Sequence, residues 1–163
     1  MKTLFTSHKV IYLLLILSVS LHIKATSTDN VNFRKLSVNE GLSQNTVWGM
    51  MQDANNKIWI GTTDGLNRYD GYTFTTYYHT SSDSLSIANN QIISLCTDSK
   101  GTSWFGTLVG LSRYNPVTDN FTNYLLPETP FQVLAIVDVA ENGTLFLATN
   151  IGLVSFQIAN GKF

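Results

Sequence analysis

From Asn45 onward the chain alternates short apolar or β-branched runs with clusters of Asp, Asn and Gly. Thr46 to Gln52 reads as a first strand, and Asp53-Ala54-Asn55-Asn56 as a turn, because Asx side chains bond their own backbone. Lys57 to Thr62 reads as a second strand. Asp64-Gly65 is a hairpin signal, since glycine accepts a positive φ without steric cost. Leu66 to Asp70 and Thr73 to His79 complete four strands, separated by the turn at Asp70-Gly71. Ile58, Trp59 and Ile60 are apolar in succession, so the second strand must be covered on both faces. No stretch after the amino-terminal segment has helical spacing.

The pattern then recurs. A shift of 45 residues carries Asn45 onto Asn90, Asp53 onto Asp98 and Trp59 onto Trp104. The same shift places Gly61-Thr62 on Gly106-Thr107, Gly65-Leu66 on Gly110-Leu111 and Arg68-Tyr69 on Arg113-Tyr114. A further shift of 42 gives a weaker third copy, with Gly101 on Gly143, Trp104 on Phe146, Thr107 on Thr149 and Gly110-Leu111 on Gly152-Leu153. Ala148 and Ser155 stand where the earlier copies have Gly and Arg.

Four antiparallel strands per ~42–45 residues, each unit covered on both faces, predict an all-β partial propeller. An immunoglobulin-like sandwich would not repeat at this period, and a leucine-rich solenoid repeats faster. The expected organisation is residues 1–25 as a signal peptide and 26–44 as a lead-in with one strand, Val31 to Leu36. Residues 45–89 form blade one, 90–130 blade two and 131–163 an incomplete blade three. Propellers close with four to eight blades, so three imply a truncated frame or fragment whose remaining blades belong to a longer chain.

The amino terminus modifies the picture. Lys2 and Lys9 precede an apolar run from Val10 to Leu21, the length of a signal-peptide core and too short to span a bilayer. Ala25 is a cleavage position, although Ile23 is larger than the residue preferred there; an uncleaved anchor is the alternative. The protein is therefore expected to be periplasmic or otherwise exported, touching a membrane only through the leader or an absent downstream span.

Composition excludes several functions. Hydrophobic residues make up 44% and charged residues 13%, which does not suit a disordered chain. The net charge is −1; without Lys2, Lys9 and Lys24, seven basic residues face eleven acidic ones, giving −4. Apart from Arg34-Lys35 no basic cluster remains, so nucleic acid is not an expected partner. Cys96 is the only cysteine and lies in an apolar run, which predicts a small buried hydrophobe.

No nucleophile motif, phosphate loop or metal-ligand set is present, and no cofactor is expected. Asp53-Ala54-Asn55 matches the first positions of a calcium loop, but the Gly and Glu that complete one are missing. Residues shared by the first two copies are expected to serve the blade. These are Trp59, Gly61, Thr62, Gly65 and Arg68, with Trp104, Gly106, Thr107, Gly110 and Arg113. Binding residues should instead break the repeat and sit on connecting loops. Trp48 is matched by Ile93, Tyr72 tips a turn, and His79 and Asp83 lie on or beside the polar connector Thr80-Ser81-Ser82-Asp83-Ser84. Trp48, Tyr72, His79 and Asp83 are the ligand-binding candidates, combining aromatic faces with polar groups suited to a mono- or oligosaccharide.

The string Ile58-Trp59-Ile60-Gly61-Thr62-Thr63-Asp64-Gly65-Leu66-Asn67-Arg68-Tyr69-Asp70-Gly71 resembles the two-component regulator propeller repeat. So do Trp104-Phe105-Gly106-Thr107 and Gly110-Leu111-Ser112-Arg113-Tyr114, and Glu40 to Asn45 resembles the entry to a first blade in that family. The resemblance implies the amino-terminal periplasmic sensor region of a hybrid sensor histidine kinase, responsive to carbohydrate breakdown products. It implies no kinase activity for this chain, which carries no kinase module. An exported propeller lyase or hydrolase, a non-signalling carbohydrate-binding module and a non-functional remnant remain open.

Overall fold

The computed structural model describes residues 32–126, 130–139 and 142–163. The predicted signal peptide lies outside the described residues, as does Val31. The fold is all-β, with three antiparallel sheets of four, four and three strands. The first contains β1 (Val47–Gln52), β2 (Ile58–Thr62), β3 (Leu66–Tyr69) and β4 (Phe74–Tyr77). The second contains β5 (Ile92–Thr97), β6 (Ser103–Thr107), β7 (Leu111–Asn115) and β8 (Asn120–Tyr124). The third contains β9 (Val133–Val139), β10 (Thr144–Thr149) and β11 (Gly152–Gln157). Each sheet is a meander in chain order, as expected for stacked propeller blades.

One expectation is corrected. Residues 32–36 form no strand, and Phe33 is 94% exposed. A strand needs a neighbour to take its backbone hydrogen bonds, and none pairs with this segment among the described residues. Ser37 caps the short 3-10 turn Val38–Glu40 in a reciprocal capping box with Glu40. Leu42 is then buried, 45 positions before the equally buried Ile87; each anchors the chain just ahead of its sheet.

The repeated residues shape the turns. Asp53 Oδ1 accepts the backbone N–H groups of Asn55 (2.8 Å) and Lys57 (2.9 Å), while Oδ2 accepts Trp59 Nε1 (2.8 Å). Asp98 does the same for Lys100, Thr102 and Trp104 Nε1. In the third copy both ends of the indole bond are absent together, with Ala140 in place of the Asp and Phe146 in place of the Trp. Thr62 Oγ1 donates to the Gly65 carbonyl, as Thr107 does to Gly110 and Thr149 to Gly152. Gly65 sits at φ +104°, which favours glycine there.

Two apolar layers lie between the sheets. Trp59, Leu66, Ile87, Ile92, Phe105, Tyr114 and Phe121 fill the first seam, between the first and second sheets. Trp104, Leu111, Phe131, Val133, Leu145, Leu147 and Phe156 fill the second seam. Gly61 and Gly106 let the inner strands approach. A Cβ on Gly106 would lie 2.1 Å from Ser94 Oγ and 2.6 Å from the Val133 carbonyl oxygen. Ala148 occupies the same repeat position in the third sheet.

Candidate functional site

The register sorts the loops onto two edges of each sheet. Val47 pairs with Thr62, Gly61 with Leu66 and Leu66 with Tyr77, so these residues share the edge from which the connector at 79–91 departs. Gln52, Ile58, Tyr69 and Phe74 share the opposite, turn-bearing edge.

Of the four predicted binding residues, the structure brings two together. Trp48 lies at the connector edge, in a β-bulge of β1, and is 58% exposed. It is on the first strand while His79 follows the fourth, three strand spacings or about 14 Å across the sheet. Tyr72 is 88% exposed at the turn edge, where its N–H donates to Asp70 Oδ1. His79 and Asp83 line one cavity of about 450 Å³, between the connector and β8.

The connector wall of this cavity is held by its own polar groups. Asp83 Oδ1 accepts the Leu85 N–H (2.9 Å), forming an Asx turn. Ser86 Oγ accepts the Thr80 N–H and donates to the Asp83 carbonyl (2.7 Å). The Leu85 carbonyl accepts the Phe121 N–H (2.9 Å). Asn123 Nδ2 donates to the carbonyls of Ser86 (2.8 Å) and Ser84 (3.3 Å), tying the connector to β8. His79 Nδ1 lies 2.8 Å from the Ile87 carbonyl, which only accepts, so Nδ1 carries a proton and Nε2 is the acceptor of the corresponding neutral tautomer.

Two acceptors therefore remain for a ligand: His79 Nε2 and Asp83 Oδ2, which has no hydrogen bond among the described residues. Ser81 and Ser84 line the same space, with Leu85 and Leu125 as the apolar side. Such a set matches a ligand rich in hydroxyl donors. Asn123 and Ser86 were missed by sequence reasoning. Asn123 lies 37 residues from the Ser86 carbonyl it holds, and no local signal marks that contact.

Cys96 is half-buried, not fully enclosed as predicted, because it lies on β5, an edge strand of the second sheet. Burial raises its thiol pKa, which disfavours the reactive thiolate. Among the described residues no group of His, Cys, Asp and Glu could hold a metal ion.

The comparisons agree with this architecture. The family model described as "Two component regulator propeller" matches residues 41–64. Histidine kinase P4 of Formosa agariphila is 39% identical over 70 residues; the match covers 43% of this chain and 5% of that protein. The extracellular domain of the hybrid two component system BT3049 from B. thetaiotaomicron superposes with a TM-score of 0.69 at 34% identity, covering 80% of this chain and 19% of that one. That of BT4673 from the same organism gives 0.62 at 25% identity, over 74% of this chain and 16% of the other. The chain thus spans a small fraction of each relative, and what it matches is a sensor region rather than a kinase domain. No helix of the described residues is long and apolar enough to cross a membrane. In repeat, sequence and fold, the chain is similar to the extracellular regions of two-component sensors that carry the two-component regulator propeller.

Proposed function

We propose that this chain is a ligand-reading part of a periplasmic two-component sensor, and that its ligand is a mono- or oligosaccharide held in the connector cavity. The observation that carries the reading is the convergence of His79 and Asp83 on one cavity walled by a pre-organised loop. Fixing the loop before binding lowers the ordering cost of association. Two acceptors and neighbouring hydroxyls suit the donors of a sugar ring. The similarity to extracellular sensor domains supports signalling rather than turnover.

Isothermal titration of the full chain with neutral mono- and oligosaccharides tests this. Saturable binding is expected, weakened about tenfold by His79→Ala and by Asp83→Asn, the loss of one good hydrogen bond each. Asp83→Asn keeps the Asx turn and so separates ligand contact from loop folding. Absence of binding by the folded chain, or equal binding by both variants, would overturn the reading.

A further inference from the structure

We propose that the turn edge of the first seam is a second binding site, for a saccharide that carries a carboxylate. It is separate from the connector cavity and stands without it. Two adjoining cavities of about 340 and 220 Å³ open there, sharing Asp53, Asn55, Tyr114 and Pro116. Lys57 lines the first and Lys100 the second, so the cleft has an ammonium group toward each end. Its span falls in the range of small-molecule sites.

The distribution of satisfied and free groups sets the ligand's chemistry. Asp53 accepts three N–H groups through its two oxygens. Asp70 accepts the backbone N–H groups of Tyr72 and Thr73 and the Thr73 hydroxyl. Arg68 is taken by Asp119 and the Tyr114 hydroxyl. Both acids facing the cleft are thus occupied as acceptors. Among the described residues, Lys57 and Lys100 make no ion pair and neither ammonium has a hydrogen bond, although the charge of Lys57 helps to lower the pKa of the neighbouring Asp70. The free charged donors ask for an acceptor-rich anionic group, which a carboxylate provides. Asn55, Thr75 and Thr102 add amide and hydroxyl groups suited to a hydroxylated ring, and Pro116 adds an apolar wall.

The cleft also departs from the repeat. At the second seam, Thr102 stands in the place of Lys57, Asn115 of Asp70, Phe156 of Tyr114 and Ile158 of Pro116.

The test is titration calorimetry of the full chain at low ionic strength with digalacturonate and with its neutral counterpart galactobiose. Digalacturonate is expected to bind saturably, about tenfold more weakly to Lys57→Gln and to Lys100→Gln, and more weakly as salt rises. Because it would touch two blades, it should also raise the melting temperature. His79→Ala should bind it like the wild type, which separates this site from the connector cavity. Binding of galactobiose to His79→Ala as tight as that of digalacturonate, unchanged binding in both folded lysine variants, loss of digalacturonate binding in His79→Ala, or no binding of digalacturonate would each overturn the proposal. Succinate binding as tightly as digalacturonate would overturn the saccharide assignment.

Discussion

The two seams begin from the same repeat and are closed by different chemistry. At the first, Arg68 lies over the rings of Trp59 (5.5 Å), Tyr77 (5.5 Å) and Tyr114 (5.7 Å). Its guanidinium pairs with Asp119 at 3.1 Å, and Asp119 Oδ1 also accepts the hydroxyls of Tyr77 (2.7 Å) and Tyr114 (2.6 Å). At the second, Arg113 lies only over Trp104, at 6.0 Å, and has no ion pair among the described residues. Phe156 replaces the tyrosine and Gly161 the aspartate, and ring contacts close the seam, with Phe131 edge to face on Phe163 and Phe156 tilted against it. Asp119 at φ +53° and Gly161 at +66° occupy the same left-handed position. The common element is a tryptophan wedge between sheets; the polar latch is an addition at one seam.

The largest expected effect lies in that common element. Trp59 and Trp104 are each fully buried, so either Trp→Ala change should cost about 3–5 kcal/mol in chemical denaturation. A cost near zero at either would show that the wedge is not shared. Next comes Gly106→Ala, which forces a methyl against the Val133 carbonyl oxygen and the Ser94 hydroxyl that bonds it at 2.8 Å. About 1–3 kcal/mol should be lost, whereas Ala148→Gly on the exposed face should cost under about 1 kcal/mol.

The latch itself should contribute less. Asp119 is 53% exposed, so solvent screens it, and Asp119→Ala should cost about 1 kcal/mol or less, with Arg113→Ala smaller still. A larger loss at Arg113 would reverse the comparison.

The smallest effect is the pH dependence. Burial raises the Asp119 carboxyl pKa, but the bonds from Tyr114 and Tyr77 and the charge of Arg68 outweigh it and leave the pKa below the ordinary value. A depressed folded pKa means the latch stabilises fully above the unfolded carboxylate pKa, near about 4. That contribution is lost as pH falls through the folded value. Melting curves of wild type and Asp119→Asn should therefore converge as the pH drops below about 4. A constant gap down to the lowest pH would remove the carboxylate from the account.

The wedge was legible in the sequence because each tryptophan comes with its Asp six residues earlier and its Gly-Thr pair two residues later. The latch was not. Asp119 sits in a turn two residues longer than that of the first copy, since Tyr114 pairs with Phe121 where Tyr69 pairs with Phe74. Its partners Tyr77 and Arg68 lie 42 and 51 positions away. The connector's polarity marked His79 and Asp83, but polarity alone could not place Trp48 and Tyr72 on different edges. The expected strand in the lead-in failed because apolar residues do not make a strand without a neighbouring ladder.

The account's central claim is that the connector cavity reads a soluble ligand. Titrating the ¹⁵N-labelled full chain with neutral oligosaccharides, and following its amide resonances, tests it most directly. Saturable shifts should cluster at residues 79–88 and 121–123, leave the second seam unmoved, and weaken about tenfold in His79→Ala. Shifts confined to other edges, or none at any sugar concentration with the fold intact, would contradict it.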